Sequence, residues 1–151
     1  MVGFVLIIVL VSVIVLIFLA ISLRKTGEVR QDKEIENFLH SSLLYTTPCY
    51  KSPEIVNNLK DLIESCYNKR ICMDNRESCK VLNETLTEVI KKSWNIGQDS
   101  LEKAYTLEIY EEQNRENPVL SLSEGKKTNT KKGADILIYV EDLHVRMSIF
   151  Y

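Results

Sequence analysis

The first 23 residues, Met1 to Leu23 (MVGFVLIIVLVSVIVLIFLAISL), carry no charged side chain, and only Ser12 and Ser22 are polar. As a helix rising 1.5 Å per residue, such a run reaches roughly 33 Å, about the thickness of a bilayer's hydrocarbon core. A helix apolar on every side has no place inside a soluble core of this size. The rest of the chain is therefore expected to be tethered to a lipid bilayer or built around a shared apolar stalk.

Three readings of that segment compete: a cleaved signal peptide, a retained single-pass transmembrane helix, and an assembly helix. A signal peptide needs a basic n-region and an apolar core of 7–15 residues. No Lys or Arg precedes this run, and it is longer than that, although Ala20 and Ser22 would pass as a cleavage pair. A retained helix fits better. Its orientation is contested. Arg24, Lys25, Arg30 and Lys33 all follow it, which by the positive-inside rule puts the C-terminal part in the cytoplasm. Four cysteines in a small domain point instead to an oxidising compartment, and the outside is favoured.

About 128 residues remain beyond the apolar run, enough for one compact domain and too few for two. A formal net charge of −2 gives no nucleic-acid footprint. Glu28 to Tyr45 reads as an amphipathic helix with Ile35, Phe38, Leu39 and Ser42 on one face, nearly continuous with the apolar one. Thr46-Thr47-Pro48 stops it. Ser52, Pro53 and Glu54 then read as the start of a second helix, whose stripe is Ile55, Leu59, Leu62, Ile63 and Cys66. The Asp74–Glu77 spacing fits a capping box for a third, carrying Cys79, Leu82, Leu86, Ile90 and Trp94.

After Gly97 the apolar period changes from 3.6 to 2. Tyr105, Leu107 and Ile109 mark one strand, and Leu120 and Leu122 a second. Ile136 to Val140 is a continuous apolar run suited to a central strand, and Leu143 to Tyr151 alternate to the last residue. Short connections imply antiparallel neighbours. The expected fold is thus α+β: an N-terminal transmembrane helix over 1–23 and a head over 24–151. The head divides into a helical stalk (24–47), a disulfide-stapled αα-hairpin (48–96) and a small antiparallel sheet of 3–4 strands (97–151).

Cys49, Cys66, Cys72 and Cys79 are separated by 17, 6 and 7 residues, which suits two disulfides better than a metal site. A hairpin brings Cys66 to Cys79, leaving Cys49 with Cys72. Cys49–Cys66 is disfavoured, because an intervening helix of about a dozen residues would hold the two roughly 18 Å apart. Lys126, Lys127, Lys131 and Lys132 crowd a polar loop between Gly125 and Gly133, read as solvated, with acidic surface or lipid head groups as the alternative. Asn83-Glu84-Thr85 is a glycosylation sequon, with Asn83 placed on the packed stripe. His40 and His144 have no Ser, Cys or carboxylate beside them in a recognisable motif. Trp94 and Tyr105 read as core. No phosphate loop, nucleophile elbow or paired-carboxylate signature appears, and neither a catalytic residue, a cofactor site nor a metal site is expected.

An apolar N-terminal helix running into an amphipathic one, with a C-terminal antiparallel sheet, resembles the type IV pilin architecture. The Cys-bearing segment TTPCY…DLIESCYNKRICMDNRESCKVLNETL is similar to small archaeal pilin-like proteins. Gly3-Phe4 resembles the junction at which prepilin peptidases cut, which would make Phe4 the mature first residue. The leader would then be only Met1-Val2-Gly3, without the usual basic residue. Ile8 would occupy the fifth mature position, where bacterial pilins commonly place Glu. The resemblance implies a non-enzymatic subunit of a surface filament or its assembly machinery, extracellular, self-associating through its apolar helix. A permanently anchored extracytoplasmic binding or accessory protein that never polymerises is the alternative.

Overall fold

A computed structural model describes residues 10–18, 32–52, 55–139 and 141–151. Residues 10–18 are helical (α1), with their large apolar side chains all exposed, from 48% at Val13 to 70% at Phe18. Among the described residues no helix is long and apolar enough to cross a membrane. The expected transmembrane helix is corrected accordingly: only its stretch 10–18 is described, about 13 Å of helix. Met1 to Val9 and Leu19 to Leu23 lie outside the described residues.

The near-continuous stalk is also corrected. Helix α2 spans Lys33–Ser42 and begins at an N-cap, Asp32, whose backbone is extended (φ −101°, ψ 120°) and whose carboxylate accepts from the Glu34 amide at 2.9 Å. Asp and its short carboxylate satisfy an otherwise orphaned first-turn donor, so the helix starts there rather than at Glu28. Ile35, Leu39 and Ser42 face inward, as their spacing requires.

The largest departure lies between Thr46 and Asn58. The stapled αα-hairpin is present as α3 and α4, but in place of the start of its first helix β1 (Thr46–Ser52) and β2 (Ile55–Asn58) pair antiparallel as a two-stranded sheet. Ser52 ends β1 and caps no helix, and Pro53 and Glu54 fall outside the described residues. Thr46, Thr47, Tyr50, Ile55 and Val56 are β-branched or aromatic, and that strand preference overrides the Ser-Pro-Glu signal. Helix α3 (Leu59–Tyr67) begins four residues after Ile55, capped by Asn58 and Asp61 in a reciprocal box. Helix α4 (Ser78–Ser93) follows Glu77, which makes no side-chain cap. Asp74 instead holds Arg76, through its amide at 3.1 Å and its guanidinium at 2.6 Å.

Four strands complete the head: β3 (Ala104–Glu111), β4 (Leu120–Gly125), β5 (Lys131–Ile138) and β6 (Leu143–Phe150). They form one antiparallel sheet in the order β4-β3-β6-β5. The run around Ile136 therefore belongs to an edge strand, and the centre falls to β3 and β6. Consecutive β4 and β5 lie on opposite edges, against the expectation that short connections join neighbours.

On one face Tyr105, Leu107 and Ile109 lie opposite Ile149, Met147 and Val145, all buried. They join Ile35, Leu39, Leu62, Leu82, Leu86 and Ile90 from the helices in a single apolar core. Trp94 closes the layer edge-on against Phe38, with ring centroids 4.2 Å apart. A half-apolar sheet has to be covered on that face, and the three helices α2, α3 and α4 cover it.

Candidate functional site

Two disulfides join Cys49 to Cys72 and Cys66 to Cys79, with Cα separations of 5.2 and 4.5 Å. The second links the end of α3 to the first turn of α4. The first ties β1 to the segment between those helices, where the Met73 amide also donates to the Tyr50 carbonyl. A groove of about 700 Å³ opens beside this bond. It is lined by Tyr50, Lys51, Asn57, Lys69, Ile71 and Met73, of which Tyr50, Ile71 and Met73 are exposed.

The outer face of the sheet holds a polar network that the sequence did not bring together. Strand register sets Tyr110 opposite His144, and Arg146 between Glu108 on β3 and Asp135 on β5. The Tyr110 hydroxyl donates to Asp135 Oδ2 at 2.6 Å and accepts from Arg146 Nη2 at 2.6 Å. Arg146 also reaches Asp135 Oδ2 through Nε and Nη2, at 2.9 and 2.7 Å. His144 Nδ1 lies 3.0 Å from the other Asp135 oxygen and Nε2 lies 3.3 Å from Glu112. The His144 ring stacks on Tyr110 at 5.3 Å, and the Arg115 and Arg146 guanidiniums approach the Tyr110 ring at 5.5 and 4.9 Å.

The electrostatics follow from that packing. Burial, together with the bond to Asp135 and its charge, pushes the Tyr110 hydroxyl up to about 12. Burial alone would raise Asp135. The hydrogen bonds from Tyr110, His144 and Arg146, with the guanidinium charge, outweigh it and hold the carboxyl below its usual range. The tyrosine thus stays protonated as a donor, and the aspartate stays ionised as its acceptor. Both ring nitrogens of His144 face carboxylates, Asp135 and Glu112. No buried side-chain nitrogen or oxygen among the described residues lacks a partner. A network of this kind clasps three strands. Alternation along β3 and β6 was its only sequence signal, because strand pairing brings Asp135 to Arg146 and His144, and the turn after β3 brings Glu112.

The remaining candidates fall as follows. His40 is exposed on α2. Asn83 is exposed on α4, contrary to its expected burial: Leu82 and Leu86 define the inward stripe, and Asn83 is turned about 100° from Leu82. Trp94 and Tyr105 are buried. Gly3 and Phe4 lie outside the described residues. Among the described residues no group of three or more His, Cys, Asp and Glu side chains is placed to hold a metal ion.

The lysines prove to be partly strand. Residues 126–130 run from one edge of the sheet to the other, across the ends of β3 and β6, a distance of three strand spacings or about 14 Å. Lys131 and Lys132 already belong to β5. Gly125 enters this crossing at φ +87°, where a Cβ would collide with the Lys103 carbonyl and with Ala104. The Lys126 amide donates to Lys103, the Thr128 hydroxyl to the Tyr151 carbonyl at 2.7 Å, and the Tyr151 amide to Thr130 at 3.0 Å.

Comparison with protein families, curated proteins and solved structures finds no match for this chain.

Proposed function

We propose that the chain is a pilin-like structural subunit, whose disulfide-stapled head is displayed outside the cytoplasm and whose apolar N-terminal segment packs with that of other subunits. The observation that carries this reading is α1. Residues 10–18 expose Leu10, Val11, Val13, Ile14, Val15, Leu16, Ile17 and Phe18 together, on every side of the helix. Exposed apolar surface of that extent is a demand for a partner, because water disfavours it by roughly 25 cal/mol per Å². In a filament, helix-against-helix packing would meet the demand. Both disulfides support a head that matures where thiols oxidise. The strand-clasping outer network and the absence of catalytic motifs in the sequence favour a structural role over an enzymatic one.

Intact-mass measurement of native protein, paired with electron microscopy of cell surfaces, tests this. A mature N-terminus at Phe4 with filaments supports the subunit. An intact Met1 on cells without filaments overturns it in favour of a tethered accessory protein, for which the groove beside Cys49–Cys72 is the binding surface to examine.

A further inference from the structure

The crossing that carries the lysines stands at the end of the head where the N-terminal segment enters. Asp32, the residue at which the described head begins, donates its amide to the Gly133 carbonyl at 2.9 Å and pairs its carboxylate with Lys132 at 3.1 Å. Lys131 is exposed beside that point, and Lys126 and Lys127 are exposed along the same end of the sheet towards β4. Among the described residues, Lys126 and Lys131 have no carboxylate within ion-pairing distance, and Lys127 rests only over the Phe150 ring at 5.9 Å. The hydrogen bonds of Thr128, Thr130 and Tyr151 fix the backbone of the crossing to the sheet, so the lysines project from a held segment. At the opposite end of the same sheet stand Glu111, Glu112, Glu116, Glu141 and Asp142. Asp32, Glu102 and Glu124 stand at the lysine end too, Asp32 held by Lys132 and Glu124 by Lys91, so the positive excess there rests on the exposed amines, while Arg115 stands among the acids of the opposite end.

We propose that this lysine end seats against an anionic lipid surface. The inference rests on the reading that the apolar N-terminal segment brings the head to a bilayer. Residues 19–31 separate α1 from Asp32, a contour of at most about 45 Å, so the lysine end stays within reach of whatever surface holds α1. Arg24, Lys25 and Arg30, against the single Glu28, add the same sign in the sequence between them. Juxtamembrane basic groups are attracted to anionic lipid within about a Debye length of its surface. The acidic end would be repelled, so seating also orients the head with its strands rising from the membrane.

The test is lysine acetylation of the full chain in vesicles, mapped by peptide mass. One set is phosphatidylcholine alone, and the other contains about 30% phosphatidylglycerol, giving a surface potential near −30 mV. That potential concentrates protons about threefold at the surface, so amines seated there should acetylate about threefold more slowly. The expected result is that slowing at Lys126, Lys127 and Lys131 in the anionic vesicles only, lost in about 0.5 M salt, with Lys60 and Lys80 unchanged. Equal labelling in both lipids overturns the proposal. Slowing that is the same in both lipids and grows with protein density also overturns it, because the lysine end then meets the acidic end of another copy. Flotation separates the two readings. A chain that floats with neutral vesicles but labels equally keeps its tether and loses this seating. A chain that floats only with anionic vesicles, with the lysines slowed, keeps the seating and loses the tether. Flotation with neither overturns both.

Discussion

The stapled half of the head, residues 46–93, and the sheet half, residues 104–150, are held by different means. In the first, a two-stranded sheet with register shifts leaves Tyr50, Ile55 and Val56 exposed; one disulfide ties it to the segment between α3 and α4, and the other ties those helices together. In the second, β3 and β6 pair without a break over eight residues each, bury an apolar face and close the outer face with hydrogen-bonded charges. A two-stranded ribbon is marginal in water on its own, whereas four strands under a helical layer are not. Cys49–Cys72 secures the ribbon that leaves side chains exposed, whereas Cys66–Cys79 joins two helices already packed in the core.

Reducing both disulfides should break that comparison most clearly. Each is expected to contribute about 2–4 kcal/mol, and the 23-residue separation of Cys49–Cys72 about 0.5 kcal/mol more than the 13-residue one. Amide hydrogen exchange on the reduced chain should lose protection over 46–93 first, while β3 and β6 stay protected. Simultaneous loss across the head would mean the two halves form one cooperative unit. Next in size, Leu107→Ala on the central strand should cost about 2–5 kcal/mol, since Leu107 is fully buried among both layers. Chemical denaturation followed by Trp94, the only tryptophan, would read it.

The outer network predicts a smaller and pH-dependent effect. Tyr110→Phe removes a donor to Asp135 and an acceptor for Arg146, for about 1–3 kcal/mol at neutral pH. The Tyr110 hydroxyl titrates near 10 when unfolded and at about 12 when folded, so its contribution is complete below pH 10. Above that the unfolded chain ionises first, and stability falls as pH rises towards 12, by about 2–3 kcal/mol in all. Tyr110→Phe should flatten that alkaline limb, and a limb of unchanged steepness would place the titration elsewhere. Asp135 runs the other way. Its depressed folded value makes its contribution present above the ordinary carboxylate range and lost as pH falls through the folded value. Smallest of these, Asn58→Ala should cost about 1 kcal/mol by removing the α3 cap, with its effect on exchange confined to the stapled half.

Where the chain was legible, one local signal decided the element. Leu82, Leu86 and Ile90 fixed the face of α4, the alternation in 105–109 and 143–149 fixed β3 and β6, and the cysteine count indicated two disulfides. Illegibility began where local signals competed. Ser52-Pro53-Glu54 spells a helix start, yet the chain makes β1 and β2, because strand-forming side chains on both flanks pair with each other. Asp74 and Glu77 are spaced for a capping box, yet Arg76 captures the aspartate. The outer network had no motif at all: Tyr110, Asp135 and Arg146 meet through strand pairing, and Glu112 reaches His144 from the turn after β3.

By itself the sequence determined the apolar character of the N-terminal segment, the inward stripes of the helices and the strand periodicity of the C-terminal half. Each follows from side-chain chemistry repeated at a fixed spacing. Only the tertiary structure decided that β3 and β6, not the run around Ile136, occupy the centre of the sheet. It alone carried the lysines across the sheet's end to the point where Asp32 enters. Strand order and that crossing depend on which long-range pairs bury the most apolar surface together, a sum over the whole head that no single segment contains.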